Sequence, residues 1–102
     1  MIAMLYAIMA EESEDGLARR AAVRERHLEH VRALVSEGRL VFAGPHPRID
    51  SPDPGTAGYS GSLIIAEFES LEAAEDWAAR DPYRLEGVFS EVRIKPVLQV
   101  LP

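Results

Sequence analysis

Three side chains in this sequence have the types and spacing for acid–base chemistry on an anionic ligand. Arg24 and His27 lie in "RRAAVRERHLEH" (residues 19–30), and Asp81 lies in "AARDPY" (78–83). An imidazole can take up and return a proton near neutrality. A carboxylate bonded to one ring nitrogen fixes the tautomer and leaves the other nitrogen for a substrate. A guanidinium one helical turn away could bind a carboxylate or phenolate. Each residue also has a plainer reading. Arg24 could snorkel, its stem packed and its head in water. His27 could be a boundary histidine with an ordinary hydrogen bond. Asp81 ends the helical run "SLEAAEDWAAR", where the dipole disfavours an acid. It could cap a short turn in which Pro82 takes the first position, or accept from His27. The two roles are compatible.

The elements that must position these residues can be read from pattern. Residues 2–9, "IAMLYAIM", form a strand with Ile2, Met4, Tyr6 and Ile8 on one face and Ala3, Leu5, Ala7 and Met9 on the other. A strand apolar on both faces must be covered on both. "EESEDG" is a polar break offering Ser13 and Asp15 as helix caps. A helix is predicted over 16–37, and Gly38 supplies its C-terminal stop. With Leu28 at the centre and about 100° per residue, Leu17, Ala21 and Val35 fall within about 20° of it and Val31 about 60° away. Arg24 falls about 40° from that centre, inside the apolar stripe, and His27 about 100° away on its flank. His30, about 160° away, is expected to be wet.

Residues 39–45 read as a second strand, 46–60 as a turn-rich loop, and 61–69 as a third strand. Such a loop is long against the usual connection of about 4–6 residues, and its placement suits a cleft cover. A second helix starts at Ser70 with Leu71, Ala74, Trp77 and Ala78 as its buried stripe. A last strand is predicted over 90–101, where Pro96 argues for an edge or a bulge. The order β-α-β-β-α-β is the ferredoxin-like arrangement, an α+β fold with two helices on one face of a four-stranded antiparallel sheet. The uncovered sheet face points to a homodimer.

Composition sets the outer limits. A chain of 102 residues has room for one core, so residues 1–102 are read as a single domain. With 47% hydrophobic and 27% charged residues it is globular rather than disordered. The net charge of −6 disfavours nucleic acid, and the arginines of 19–32 alternate with Glu25 and Glu29. "MIAMLYAIMA" is too short to span a membrane and lacks a signal peptide's basic flank. No membrane association is expected, and cytoplasm is the default compartment. There is no cysteine, hence no disulfide and no thiolate nucleophile.

Cofactor motifs are missing too. "GTAGYSG" (55–61) precedes a strand rather than a helix, unlike a dinucleotide site. His46, Asp50 and Asp53 sit among prolines without regular ligand spacing, so a solvated loop is preferred to a metal site. No cofactor and no metal are expected. Trp77 and Phe68 read as core. Ser62 has no nucleophile elbow around it and is read as a hydrogen-bond donor.

Four stretches together, "RERHLEHVRAL", "GRLVFAGPHP", "DPGTAGYSGSLIIAEFESLEAAEDWAARDPY" and "GVFSEVRIKP", resemble the YciI-like (YCII-related) family over essentially the whole chain. The resemblance implies a dimeric ferredoxin-like fold similar to that of muconolactone isomerases. It implies an active site on a His–Asp pair matching His27 and Asp81, with Arg24 and Ser62 at further matching positions. "RERH" departs from the Arg-Pro-x-His common among close relatives but leaves Arg24 and His27 in register. The expected function is a small cofactor-free dimeric enzyme doing isomerisation, elimination or proton transfer on a small anionic metabolite, aromatic ones included. The alternative is a ligand-binding module using the same pocket. A third reading, in which the polar pair only secures the fold, is weaker.

Overall fold

The computed structural model describes residues 3–102. Four strands form one antiparallel sheet: β1 (Met4–Glu12), β2 (Leu40–Pro47), β3 (Tyr59–Phe68) and β4 (Phe89–Val97). Helix α1 (Gly16–Ser36) connects β1 to β2, and α2 (Leu71–Ala79) with the short α3 (Pro82–Leu85) connects β3 to β4. The sheet order β2-β3-β1-β4 is the ferredoxin-like order. The expected element order and fold class therefore hold, with α3 as an added turn of helix. Ile2, assigned to the first strand from sequence, lies outside the described residues.

Several boundaries differ from expectation for identifiable reasons. β2 runs on through Pro45 to Pro47 because it is an edge strand, where a missing N–H costs no ladder bond. The loop is correspondingly shorter and carries a turn of 3-10 helix at Gly55–Ala57. β4 stops at Val97, and Leu98, Val100 and Leu101 run off the sheet, exposed. At the start of α1, Asp15 holds the cap position without a side-chain cap bond and pairs with Arg19 instead. Ser13 turns to the far end of the chain, its Oγ donating to the Gly87 carbonyl at 2.7 Å. Gly38, at φ 70°, ends α1 in the left-handed region as expected.

The core lies between the sheet and the helices. Tyr6, Ile8, Ile64, Ala66 and Phe68 rise from β1 and β3 to meet Val31 and Leu34 of α1 and Trp77 of α2. The period-2 alternation puts Leu5, Ala7 and Met9 of β1 on the other face, beside Leu63 and Ile65 of β3. That face has no helix over it.

α1 is rotated about its axis relative to the sequence expectation. Its buried residues are Gly16, Val23, Val31 and Leu34, with His27 and His30 half-buried beside them. Leu17 and Val35, expected at the centre of the buried stripe, are 39% and 57% exposed, and Ala21 is exposed too. Leu71 of α2 is likewise 42% exposed. His30, expected in water, stacks on the Trp77 indole with ring centroids 4.2 Å apart, and its Nε2 lies 2.9 Å from the Trp77 carbonyl oxygen. Aliphatic spacing alone points to the face of Leu17, Leu28 and Val35. The actual face is chosen by partners on α2 and α3, which bond one ring nitrogen of each imidazole and let the rings turn inward.

Gly61 of β3 lies tight against the β1 backbone, where a Cβ would stand 2.0 Å from the Ala10 carbonyl oxygen. Gly61→Ala is expected to force the central strand pair apart and cost about 1–3 kcal/mol, read from the urea midpoint.

Candidate active site

His27 is set by contacts from three residues, two on α3 and its cap and one on β4. Its Nδ1 lies 2.7 Å from Oδ1 of Asp81, its ring stacks on Tyr83 with centroids 3.9 Å apart and planes 8° apart, and Phe89 meets it edge-on at 6.1 Å. An ionised carboxylate only accepts, so Nδ1 carries the hydrogen of this bond and donates it. Nε2 is then the nitrogen left to act, and it has no partner among the described residues. The side chain keeps 12% exposure and forms part of a cleft wall.

The placement of Asp81 follows from where the helices stop. α2 ends at Ala79, with Arg80 as its C-cap, and Asp81 is already the N-cap of α3 with Pro82 in the first position. Its Oδ1 accepts from the Tyr83 backbone N–H at 2.9 Å and from His27 Nδ1 as well. One oxygen thus both caps and orients, and the carboxylate faces the favourable end of a helix rather than the unfavourable one. Asp81 is only 3% exposed, so these bonds hold it where water cannot.

The two other residues expected at the site border the same cleft. Arg24 is exposed and makes no hydrogen bond or ion pair among the described residues, so its guanidinium is free for an anion. Ser62 is buried, its Oγ donating to the Gly44 carbonyl at 3.4 Å. The cleft measures about 180 Å³ and runs between α1, β2 and β3, with Pro45 and Tyr59 at its rim. Only these two ends of the 45–60 segment reach it. Thr56, Ala57 and Gly58 border a separate groove with Glu14 and Leu17. His46 points away on β2, exposed, and Asp50 and Asp53 are exposed in the loop. Among the described residues no three histidine or acidic side chains come together in metal-binding geometry.

A second polar group was missed from sequence. Arg20 and Glu12 form an ion pair with Nη2–Oε1 of 2.8 Å and Nε donating to both carboxylate oxygens, the side chains being only 13% and 1% exposed. The Arg20 guanidinium lies 4.4 Å from the Tyr59 ring centroid and 4.9 Å from that of Tyr83. Gly16 makes the pair possible, since a Cβ there would stand 2.4 Å from Glu12 Cγ. Arg20 sits among alternating charges, and its partners come from two strands, β1 and β3, and from α3. The only usable sequence signal was the acid at the end of an apolar strand. Burial, the largest influence, pushes the Tyr83 phenol above its ordinary value. The Glu12 and Asp81 carboxylates add to this, and Arg20 and Arg24 oppose it.

Residues 4–98 match the model of the YCII-related domain. The chain belongs to the YCII-related family. Protein YciI of Escherichia coli O6:H1 is 53% identical over 97 residues, which cover 95% of this chain and 99% of that protein. A protein of Haemophilus influenzae is 48% identical over the same shares. A more distant relative from Emericella nidulans, the derivative of benzaldehyde biosynthesis cluster protein C, is 30% identical over 87% of this chain and 94% of its own. Among solved structures, 5-chloro-2-hydroxyhydroquinone dehydrochlorinase of Burkholderia phenoliruptrix AC1100, in complex with 2,5-dihydroxybenzoquinone, superposes with a TM-score of 0.82. It covers 94% of this chain and 95% of its own at 21% identity, a likeness of fold. The YCII-related fold thus spans the strands and helices that carry His27, Asp81, Arg24 and Ser62.

Because Asp81 serves the helix and the imidazole at once, Asp81→Ala is expected to cost about 1–3 kcal/mol. Asp81→Asn, which keeps a cap acceptor, is expected to cost less. Urea unfolding of the three proteins checks the order.

Proposed function

We propose that this protein is a small cofactor-free enzyme performing acid–base chemistry on a monocyclic anionic metabolite. The observation that carries the reading is the 2.7 Å contact of His27 Nδ1 with Asp81, beside a guanidinium, Arg24, that has no hydrogen-bond or ion-pair partner among the described residues. With Nδ1–H given to Asp81, Nε2 holds a lone pair that can remove a proton from a ligand carbon or hydroxyl. The electron pair left behind then expels a leaving group from the adjacent carbon, or is reprotonated elsewhere on the ring by the imidazolium. The first outcome is elimination and the second isomerisation. Arg24 binds the ligand's carboxylate or phenolate, and Ser62 shapes the cleft floor. A positioned acid–base of this kind contributes about 10²–10⁴-fold in rate.

Cleft size and wall chemistry support a single ring. An apolar cavity of about 150 Å³ accommodates benzene, and the present cleft is of similar volume with aromatic walls. The fold neighbour supports the same class: a dehydrochlorinase eliminates a leaving group from a ring, and that protein is complexed with a dihydroxybenzoquinone.

The test is a thermal-shift screen of monocyclic aromatic acids, phenols and 2,5-dihydroxybenzoquinone, followed by turnover assays on whatever binds. A ligand at 100 times its Kd should add about 2.7 kcal/mol of stability. Arg24→Ala should remove that shift. His27→Gln and Asp81→Asn should keep most of the binding and lose turnover by about 10²–10⁴-fold. Binding without turnover in the wild type would make the cleft a ligand-binding module, and no binding across the screen would remove the reading altogether.

The active form is proposed to be a homodimer. Leu5, Ala7, Met9, Leu63 and Ile65 form an apolar patch on the helix-free sheet face, and a second copy of the same face is the simplest cover. Sedimentation at micromolar concentration should give twice the 11.3 kDa chain mass, with an interface above about 1,200 Å². A well-folded monomer would contradict it.

A further inference from the structure

Tyr83 is 1% exposed yet forms part of the cleft wall, its ring lying flat against His27. Arg20 Nη1 donates to its Oη at 3.5 Å, the outer edge of hydrogen bonding. A guanidinium is only a donor, so this contact occupies an oxygen lone pair and leaves the hydroxyl hydrogen uncommitted. No acceptor for that hydrogen is found among the described residues. A buried hydroxyl donor without an acceptor is unfavourable, and the space its ring borders is the cleft.

We propose that Tyr83 is a ligand-binding residue whose hydroxyl donates a hydrogen bond to an oxygen on the ligand's ring, a second polar contact in addition to the anion site at Arg24. The proposal rests on the reading of the cleft as the ligand site and narrows the ligand class. The ligand is a single ring carrying an anionic group for Arg24 and a separate carbonyl, hydroxyl or oxyanion for Tyr83. Burial favours the neutral phenol, and a neutral phenol donates where a phenolate would repel an oxygen. The Glu12–Arg20 pair restrains the hydroxyl without taking its hydrogen: Arg20 only donates to it, and no hydrogen bond joins it to Glu12 among the described residues.

The proposal is tested by calorimetric titration with benzoate, 3-hydroxybenzoate and 4-hydroxybenzoate, using the intact wild type, Tyr83→Phe and Arg24→Ala. Tyr83→Phe keeps the ring against His27 and removes only the hydroxyl. The wild type should bind at least one hydroxybenzoate about fivefold more tightly than benzoate, the effect of one net hydrogen bond. Tyr83→Phe should bind benzoate as the wild type does and lose the preference. Arg24→Ala should weaken all three probes alike, reporting the anion site separately. A preference that survives in Tyr83→Phe, or one missing from the wild type, overturns the role of Tyr83 while Arg24→Ala still reports on the cleft. Loss of benzoate binding in Tyr83→Phe also overturns it, because the ring and not the hydroxyl would then matter. If no probe binds the wild type, both the hydroxyl contact and the underlying reading fall.

Discussion

One carboxylate oxygen ties this structure together. Oδ1 of Asp81 accepts from the backbone at the start of α3 and from His27 on α1. The first bond starts the short helix that brings Tyr83 into the core, and the second holds the imidazole flat against that tyrosine. Removing either donor would leave a nearly buried acid with less to offset its desolvation. Local helix chemistry and the candidate site therefore share one atom. The position of His27 is fixed by the same carboxylate that begins α3.

The rotation of α1 follows from this coupling. Turning the helix so that His27 and His30 face inward leaves Leu17 and Val35 in water, which gives up some apolar burial. Two stacked aromatic pairs and two hydrogen bonds offset that loss: His27 with Tyr83 and Asp81, and His30 with Trp77 and its carbonyl. Aliphatic content alone gives a poor guide to a helix face when the neighbouring elements supply polar partners. Arg24 is carried to the cleft edge by the same rotation, with its guanidinium unpaired among the described residues. Arg20, one turn earlier, is neutralised by Glu12. Two arginines on one helix thus have different electrostatic characters, and only the second has charge to spare for a ligand.

The fold resolves its two-sided apolar sheet on one side only. Helices cover the face of Tyr6, Ile8 and Phe68, and no helix lies over the face of Leu5, Ala7 and Met9. The cleft opens on the helical side, between α1 and the β2 edge. On the proposed reading, the open face would serve assembly and the covered face chemistry, so each side of one sheet would have its own role.

Element order, fold class and the pairing of His27 with Asp81 were legible in the chain, though by different routes. Strand and helix periods are local, so β1, α1, β3 and α2 could be read from spacing and from stops such as Gly38 and Pro82. His27 and Asp81, 54 residues apart, came together only through topology and family resemblance, since spacing cannot express a contact between two helices. What the tertiary structure decided was orientation: which face of α1 is buried, that a single Asp81 oxygen serves the α3 cap and His27 at once, and that Glu12, Tyr59 and Tyr83 gather around the Arg20 guanidinium. Those outcomes depend on partners from separate elements satisfying buried polar atoms. That balance of desolvation against hydrogen bonding has no periodicity for a sequence to display.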